Sequence, residues 1–211
     1  RCIQSVLDNA NTTPFNLLVI EDCSPNQAIK AYLQQLSGRG LIELLVNEKN
    51  MGFVGTVNRG MSLHAERDVL LLNSDTVVAN NWLDRIIAHA DTDPCIATIT
   101  PFSNNAEICS FPRYCQPNPI FDNKSVADID TVFSDLPMQQ IDVPTGVGFC
   151  MYVRREVLNE IGLFDEKTFG RGYGEENDFC MRASARGWRL RAVSNAVPGF
   201  AFLLRESCTK K

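Results

Sequence analysis

Carboxylate side chains gather at three positions where predicted secondary-structure elements begin or end. The three acidic clusters are Glu21 with Asp22, Asp75, and Glu175 with Glu176 and Asp178. If the first two end strands of one parallel sheet, they lie along the edge at which open α/β folds bind ligands. Carboxylates held close together repel one another unless a cation or sugar hydroxyls satisfy them. Because the candidate ligands are oxygen atoms, the pattern favours magnesium or manganese over zinc.

Each acidic cluster also has an explanation that involves no ligand. Asp22 and Ser24 can form an Asx or Ser turn, and Asp75 can cap the helix that follows it. The two glutamates of the third cluster suit the first turn of a helix, where the helix dipole favours negative charge. Asp178 is spaced to pair with Arg182 four residues later. Only the three clusters together favour a functional site.

The apolar residues alternate between strand and helix patterns over most of the chain. Continuous apolar runs bounded by turn residues predict strands buried on both faces, as in a parallel sheet. Helical spacing that ends at a stop residue predicts the helices between them. Strands are predicted at 15–24, 41–47, 68–75, 95–101 and 189–197, helices at 1–9, 26–38, 51–65, 81–90 and 174–188, and a strand leading into a short helix at 147–166. We therefore expect an α/β fold, a Rossmann-like layered sandwich with a mostly parallel central sheet.

The chain of 211 residues has the length of one domain, so 1–211 is assigned to a single domain. Within it, periodicity fails over 102–142, where prolines lie at positions 112, 117, 119 and 137 and flank the segment at 101 and 144. A long irregular segment in a compact domain is usually functional or mobile, which makes this one a candidate lid or acceptor-binding insertion. A plain surface excursion is an equally open explanation.

Composition and charge exclude several classes of protein. The formal net charge of -5 and the pI near 5.1 provide no basic surface, so no nucleic-acid partner is expected. No apolar run reaches the roughly 18 residues of a membrane span. Eight cysteines without a CxxC pair predict small buried hydrophobic residues in a reducing compartment rather than a zinc site. We therefore expect a cytoplasmic protein.

Five motifs in the chain, taken in order, resemble the family 2 glycosyltransferases of the GT-A fold. They are VIEDCS at 19–24, NMGFVGTVNRG at 50–60, NSD at 73–75, TGVGFCMYVRREVLNEIGLFDE at 145–166 and GYGEENDFCMR at 172–182. The third resembles the NxD form that one bacterial branch has in place of the usual DxD metal motif. Each motif alone is weak, but five in the right order make a specific match. The resemblance implies a GT-A-type fold and a nucleotide-sugar donor.

The resemblance also implies which residues bind the nucleotide. Asp22 would contact the uracil or thymine base and the ribose of a UDP- or dTDP-linked sugar, with Glu21 close by. Asn50, Gly52 and Asn58 would shape the nucleotide pocket. Glycine allows the backbone to approach a phosphate closely, although Gly52 can equally be an ordinary turn glycine.

For the metal, the resemblance implies that Asp75 coordinates a divalent cation, manganese or magnesium, which bridges the two phosphates of the donor. Such a cation neutralises the charge that grows on the leaving nucleoside diphosphate. Asn73 offers a neutral oxygen in place of the first aspartate of the family motif, and Ser74 lies between the two in the donor-binding turn.

For catalysis, the resemblance implies an inverting reaction in which a carboxylate takes the proton from an acceptor hydroxyl as that hydroxyl attacks the anomeric carbon. Glu176 aligns with the aspartate of the family's ED motif and is the expected general base. Glu175 would support it, and Asp178 is the reserve candidate. A position at a helix start would keep the base ionised.

The chain departs from the family at both ends. The family's first strand, which ends in a PxYN-like turn, would precede this sequence, and the metal-binding histidine expected after the last strand is absent from 195–211. His64 and His89 lie in predicted helices and are expected to be surface or packed residues. The chain is then either a truncated piece of an active enzyme or an inactive relative. Intact acidic clusters favour truncation, because buried carboxylates without a cation are costly.

The leading hypothesis is an inverting hexosyl- or rhamnosyltransferase-like enzyme of surface polysaccharide synthesis. Its acceptor would be a saccharide or a lipid-linked acceptor, and regions outside this sequence would associate it with the inner membrane surface. The alternative is a catalytically inactive module of the same fold that binds a nucleotide sugar or a glycan. A nucleotidylyltransferase is not expected, because no glycine-rich, lysine-bearing loop follows the first predicted strand.

Overall fold

The computed structural model describes residues 1–120 and 124–195, which form two sheets with helices packed around them. The strands are β1 Leu18–Glu21, β2 Glu43–Val46, β3 Val69–Leu72, β4 Ile96–Pro101, β5 Gln140–Asp142, β6 Cys150–Val153 and β7 Arg189–Val193. The helices are α1 Cys2–Asp8, α2 Gln27–Gly38, α3 Gly52–Met61, α4 Trp82–Ala90, α5 Val126–Ser134, α6 Arg155–Ile161, α7 Glu166–Phe169 and α8 Glu175–Ser184, with a 3-10 turn at Glu107–Cys109. The predicted α/β alternation is confirmed from α1 to β4.

The strands form a parallel pair, β1 with β2, and a five-stranded mixed sheet in the order β3-β6-β4-β7-β5. β4 and β7 are parallel, whereas β6 lies between β3 and β4 and runs antiparallel to both. β5 is an antiparallel edge strand on β7. The layered α/β class is therefore confirmed, but the pairing is more mixed than the mostly parallel sheet that we expected. Burial on both faces, which apolar runs indicate, does not fix the direction of a strand.

The core lies on both faces of β6. Alternate side chains of this strand point to opposite faces, as strand geometry requires. Cys150 and Tyr152 join a cluster with residues of α1 and α4, and Met151 and Val153 join a second cluster with residues of α3, α6 and α8. All four side chains are buried. The two clusters fix the sheet between its helical layers.

α2 illustrates how local signals place a helix beside the first pair of strands. Asn26 is the N-cap, and its Oδ1 accepts a hydrogen bond from the Ala28 amide at 2.9 Å. Leu33 and Leu36 of α2 pack with Ile42 in a third, smaller cluster. The helix therefore covers the parallel pair, of which β1 ends at Glu21 in the first acidic cluster.

Segment 102–142 contains more regular structure than the sequence predicted. α5 begins with a capping box, in which Ser125 Oγ accepts from the Asp128 amide and the Asp128 carboxylate accepts from the Ser125 amide. Asp130 on this helix is fully buried and accepts two hydrogen bonds from Arg85 Nη2, at 2.8 and 2.7 Å. The sequence predicted a loop-rich segment without periodicity, and the prolines on either side obscured this nine-residue helix.

The two histidines have the packed and surface positions that were expected. His89 is fully buried, with Nε2 2.5 Å from Asn195 Oδ1 and Nδ1 3.1 Å from Gln140 Nε2. An amide oxygen accepts and an amide nitrogen donates, so His89 is the neutral tautomer with its proton on Nε2. Burial lowers the pKa of His89. His64 lies at the surface, 3.0 Å from Glu43.

The cysteines only partly fit the expectation of small buried side chains. All the cysteines in the described part of the chain are free, and four of them are buried: Cys2, Cys109, Cys150 and Cys180. Cys23 is half-buried, and Cys95 and Cys115 are exposed. The eighth, Cys208, lies outside the described residues.

Candidate functional site

Asp22 follows β1 directly and joins three segments of the chain. Its Oδ1 accepts hydrogen bonds from Asn47 Nδ2 and from the Met51 amide, both at 2.7 Å. Its Oδ2 accepts one from the Gly52 amide at 3.0 Å. Burial alone would raise the pKa of Asp22, but these hydrogen bonds outweigh burial and hold the pKa below its usual value. Asp22 is therefore an ionised anchor between the end of β2 and the start of α3.

Glu21, the residue before Asp22, is buried, with only 5% of its surface exposed. Its Oε1 accepts a hydrogen bond from the Ser24 amide, and its Oε2 is buried without a partner among the described residues. An unsatisfied buried carboxylate oxygen is costly, which is consistent with a ligand hydroxyl beside it. The local turn that the sequence allowed here belongs to Ser24, whose Oγ accepts from the Asn26 amide at 3.2 Å.

Three residues were predicted to shape the nucleotide pocket, and two of them lie beside Asp22. Asn50 donates its side-chain amide to the Asp22 carbonyl at 3.0 Å. Gly52 has φ +72 and meets the backbone of Arg171, so turn geometry and close approach both favour glycine there. Asn58 has a different place, because its amide donates to the Phe164 carbonyl at 2.9 Å and accepts from the Phe164 amide at 3.1 Å. It fastens α3 to the segment before α7, with one N–H of its side-chain amide and one lone pair of its oxygen engaged there.

The Asn73-Ser74-Asp75 turn extends from the carboxyl end of β3. The Thr76 amide donates to the Asn73 carbonyl at 3.0 Å, which closes the turn. The Asp75 side chain is exposed and makes no hydrogen bond or ion pair with the described residues. α4 begins only at Trp82, with Asn81 as its N-cap, so the helix-cap explanation of Asp75 is wrong. An exposed, unpartnered carboxylate in this place fits an oxygen ligand for a hard divalent cation.

The protein ligands of such a cation are few. Within residues 1–120 and 124–195, no three His, Cys, Asp or Glu side chains gather closely enough to hold a metal ion by themselves. A cation at Asp75 would therefore need oxygen atoms from a bound diphosphate or from elsewhere in the protein. The absence of a histidine after the last strand concerns a stretch of which all but Asn195 lies outside the described residues.

Glu176 is in the first turn of α8 and faces a glycine-lined segment. Its Oε1 accepts a hydrogen bond from the Gly148 amide at 3.1 Å, and a Cβ on Gly148 would overlap that oxygen. Burial raises the pKa of Glu176, as do the negative charges of Glu175 and Glu107, and the Gly148 hydrogen bond offsets them only in part. The helix start was expected to keep this carboxylate ionised, but burial and like charge move the pKa upward. A carboxylate with a raised pKa is the better proton acceptor.

The other two residues of the third cluster have different environments. Glu175 is 3% exposed, and its Oε2 is buried without a partner among the described residues. Asp178 forms the ion pair predicted from its spacing, with its Oδ2 2.8 Å from Arg182 Nε. Arg182 also donates to the carbonyls of Ile161 and Leu163. Asp178 thus helps to hold α8 against α6, which argues against its reserve role as a base.

The clusters are linked through β6 and the segment before it. The Asn73 amide donates to the Phe149 carbonyl at 2.8 Å, and the amide of the neighbouring residue, Gly148, reaches Glu176. On the other side, a Cβ on Gly172 would stand 3.7 Å from Glu175 Oε1 and 3.8 Å from Phe53 Cβ. The expectation that the first two acidic clusters follow strands of one parallel sheet was wrong, because β1 and β3 belong to different sheets. The clusters are connected instead through contacts of Gly148, Phe149 and Gly172.

Three residues of this region were missed by sequence reasoning. Asn47 is buried, and it spans from Asp22 to Thr56 Oγ1 at 3.1 Å; its position at the end of a predicted strand was a usable signal. Gly148 lies inside a recognised motif, but its hydrogen bond with Glu176 depends on packing. Glu107 adopts φ +49 in the 3-10 turn, and no sequence pattern marks it.

A family model described as "Glycosyl transferase family 2" matches residues 1–162. The chain belongs to glycosyl transferase family 2. A comparison with curated proteins gave no match. None of the helices in the described ranges combines the length and apolar character that crossing a membrane requires.

Solved structures of glycosyltransferases share the fold of this family 2 chain. GalNAc-T7 with UDP, GalNAc and Mn2+ is 18% identical with a TM-score of 0.67, and the match covers 92% of this chain and 39% of that one. Mannosyltransferase PcManGT from Pyrobaculum calidifontis, in complex with GDP-Man and Mn2+, is 15% identical with a TM-score of 0.63, covering 97% and 54%. S. aureus TarS in complex with UDP is 18% identical with a TM-score of 0.59, covering 95% and 55%. The chain thus spans about half or less of the length of these GT-A proteins, and the likeness concerns the fold.

Proposed function

We propose that this protein transfers a sugar from a nucleoside-diphosphate sugar to an acceptor hydroxyl, with inversion at the anomeric carbon. The observation that carries the proposal is the placement of Glu176. This half-buried carboxylate has a raised pKa, is held by the Gly148 amide, and is linked through Phe149 to the turn that bears the exposed Asp75. A base and a candidate cation ligand in one region are what transfer to a hydroxyl requires.

The nucleoside of the donor binds around Asp22. Its carboxylate is held in place by three hydrogen bonds and stays ionised, so it can accept further hydrogen bonds from the base and ribose. The unpartnered Oε2 of Glu21 and the side chain of Asn50 lie beside it. A UDP- or dTDP-linked sugar is the donor that we propose. The bound UDP, GDP-Man and Mn2+ of the structurally similar proteins support a nucleotide-sugar donor and a divalent cation.

Asp75 is the residue that holds the cation, manganese or magnesium, with Asn73 and Ser74 beside it in the same turn. Bound there, the cation supplies neutralisation of the negative charge that develops on the leaving diphosphate. The assignment to the NxD branch rests on this turn. Asp75 is suited to the role because its carboxylate is exposed, while the turn itself is fastened to β6 through the Asn73 amide.

In the transfer step, the acceptor oxygen forms a bond to the anomeric carbon as the bond from that carbon to the diphosphate oxygen breaks. The acceptor proton moves to Glu176, and Oε2 is the available oxygen because Oε1 is bound by Gly148. Glu175 acts by raising the pKa of Glu176 and thus its affinity for the proton. Attack on the face opposite the leaving group gives inversion.

The acceptor side of the site includes the segment 102–142. Glu107 in this segment contributes to the raised pKa of Glu176, which supports its closeness to the base. The acceptor that we propose is a saccharide or a lipid-linked saccharide of surface polysaccharide synthesis, glycosylated with a hexosyl or rhamnosyl group at the cytoplasmic side of the inner membrane.

Calorimetric titration with UDP and dTDP, each with and without manganese, tests the donor site. We expect manganese-dependent binding of one of the two nucleotides. It should be lost in Asp75→Ala and retained in Asp91→Ala, a matched change of an exposed aspartate that follows α4. Binding that is indifferent to manganese and to Asp75 would contradict the assigned cation site, and binding of neither nucleotide would contradict the donor site itself.

A further inference from the structure

The loop at 170–174 has an unusual backbone. Four of its five residues have positive φ: Gly170 at +53, Gly172 at +129, Tyr173 at +77 and Gly174 at +109. Glycine adopts such conformations at little cost, whereas a bulky residue such as Tyr173 adopts them rarely. Arg171 is the member of the loop with an ordinary φ. The glycines therefore allow this loop a backbone path that larger residues would follow only at a cost.

The loop runs between the proposed donor pocket and the proposed base. Arg171 Cα and Cγ each lie 3.3 Å from the place where a Cβ on Gly52 would stand, so the stem of Arg171 lies against Gly52. The Gly52 amide is one of the donors that hold Asp22. On its other side, the loop covers Glu175 through Gly172. Arg171 is thus at the border of the nucleoside pocket, on the side towards the acidic helix.

Arg171 is exposed and has no hydrogen bond or ion pair with any residue in the described ranges. Other arginines near the site are engaged: Arg59 donates to the Val46 carbonyl and to Asn47, and Arg182 pairs with Asp178. A free guanidinium therefore stands beside a region where carboxylates predominate. These carboxylates would repel a nucleoside diphosphate, and a cationic side chain offsets that repulsion.

We propose that Arg171 binds the diphosphate of the nucleotide donor, reaching it from the glycine-rich loop at 170–174. This inference rests on the proposed donor function and adds to it a residue outside the cation-binding turn. The planar guanidinium offers a fork of N–H donors that matches the geometry of phosphate oxygens. Because Cα and Cγ of Arg171 lie against Gly52, whose amide binds Asp22, the guanidinium extends from a point next to the Asp22 anchor. Arg171 therefore contributes to recognition of the phosphates and leaves recognition of the nucleoside unchanged.

The test compares nucleotides with nucleosides in Arg171→Ala, Arg171→Lys and the wild-type chain by calorimetry. UDP with uridine and dTDP with thymidine are the probes, in the presence of manganese. Charge-assisted hydrogen bonds predict that Arg171→Ala weakens diphosphate binding by about tenfold or more. Uridine or thymidine should bind each variant equally. Arg171→Lys should recover part of the diphosphate affinity, because it keeps the positive charge but lacks the planar fork of N–H donors.

Arg186→Ala is the control, since this exposed arginine follows α8 and makes only a loose surface pair, 3.6 Å from Glu160. It should bind all four probes as the wild type does. Equal diphosphate binding by wild type and Arg171→Ala would overturn the inference while leaving the donor function standing. Parallel losses for diphosphate and nucleoside, with a lowered midpoint of thermal unfolding, would also overturn it, because they would indicate a structural role. If the wild type binds neither UDP nor dTDP, the donor function fails and this inference fails with it.

Discussion

Gly148→Ala isolates the contact between the proposed base and the segment before β6. The added Cβ would overlap Glu176 Oε1, and the Glu176 Cδ atom lies only 3.3 Å from its position. The carboxylate must therefore turn away and lose the hydrogen bond from the Gly148 amide, which is 3.1 Å long. Because that hydrogen bond lowers the pKa of Glu176, its loss raises the pKa further.

The size of the effect follows from the energy of the lost contact. A hydrogen bond to a charged group is worth about 1.5–3 kcal/mol, and a pKa changes by one unit per about 1.4 kcal/mol. The pKa of Glu176 should then rise by roughly one to two units. A general base works in its ionised form, so the acidic limb of the pH–rate profile should move to higher pH by the same amount. Misplacement of the base should lower kcat as well, within the 10²–10⁴-fold range that general bases contribute.

The assay measures release of UDP or dTDP from a panel of UDP- and dTDP-sugars, with methyl glycosides as acceptors, between pH 5 and 9. Nucleotide binding in the same preparations should be unchanged, because none of the hydrogen bonds that hold Asp22 involves Gly148. Gly38→Ala is the matched control, since a Cβ there meets no atom within 4 Å. A Gly148→Ala variant with the wild-type kcat and pH profile would refute the role assigned to this contact.

Three further predictions concern stability. Asp130→Ala should lower the free energy of unfolding by about 3–5 kcal/mol, measured by urea titration, because it leaves the buried Arg85 guanidinium unpaired. A mild loss would show that the pair does not anchor α5. Burial lowers the pKa of His89 in the folded protein. The neutral side chain therefore stabilises the fold fully above the unfolded-state pKa of about 6.5, and this stabilisation is lost as the pH falls through the folded-state pKa. Unfolding titrations should show this acid-induced loss reduced in His89→Gln, and an identical loss in both proteins would contradict it. Asp178→Ala should lower the free energy of unfolding by only about 0.3–0.5 kcal/mol, the value typical of partly exposed ion pairs on a helix, and should leave kcat unchanged. A large fall in kcat would restore Asp178 as a candidate base.

Sequence reasoning was most successful for features that depend on the spacing of neighbouring residues. The apolar runs that end at Glu21 and before Asn73 predicted strands, and β1 and β3 are found there. The i,i+4 spacing of Asp178 and Arg182 predicted an ion pair, which is present. These features depend on local spacing alone, and the sequence contains that information in full.

Features that depend on partners distant in the chain were harder to predict. An apolar run fits a parallel or an antiparallel strand, so the reversed direction of β6 could not be read from its residues. Asn58 lies in a recognised motif, yet its amide binds the backbone of Phe164, 106 residues away. The Ser125–Asp128 capping box was a local signal for α5 that the surrounding prolines obscured. Glu107 raises the pKa of Glu176 through its charge, across 69 positions of the sequence, so only the folded structure shows this influence.

Glu176→Gln is the most direct test of the central proposal, that this carboxylate is the base of a sugar transfer. The change keeps the shape of the side chain and removes its capacity to take a proton. Glu156→Gln, an exposed glutamate in the first turn of α6, is the matched control. Transfer from the panel of UDP- and dTDP-sugars to methyl glycosides is measured with saturating manganese. The proposal predicts that Glu176→Gln lowers kcat by about 10²-fold or more while nucleotide binding stays at the wild-type level. Wild-type transfer by Glu176→Gln would contradict it.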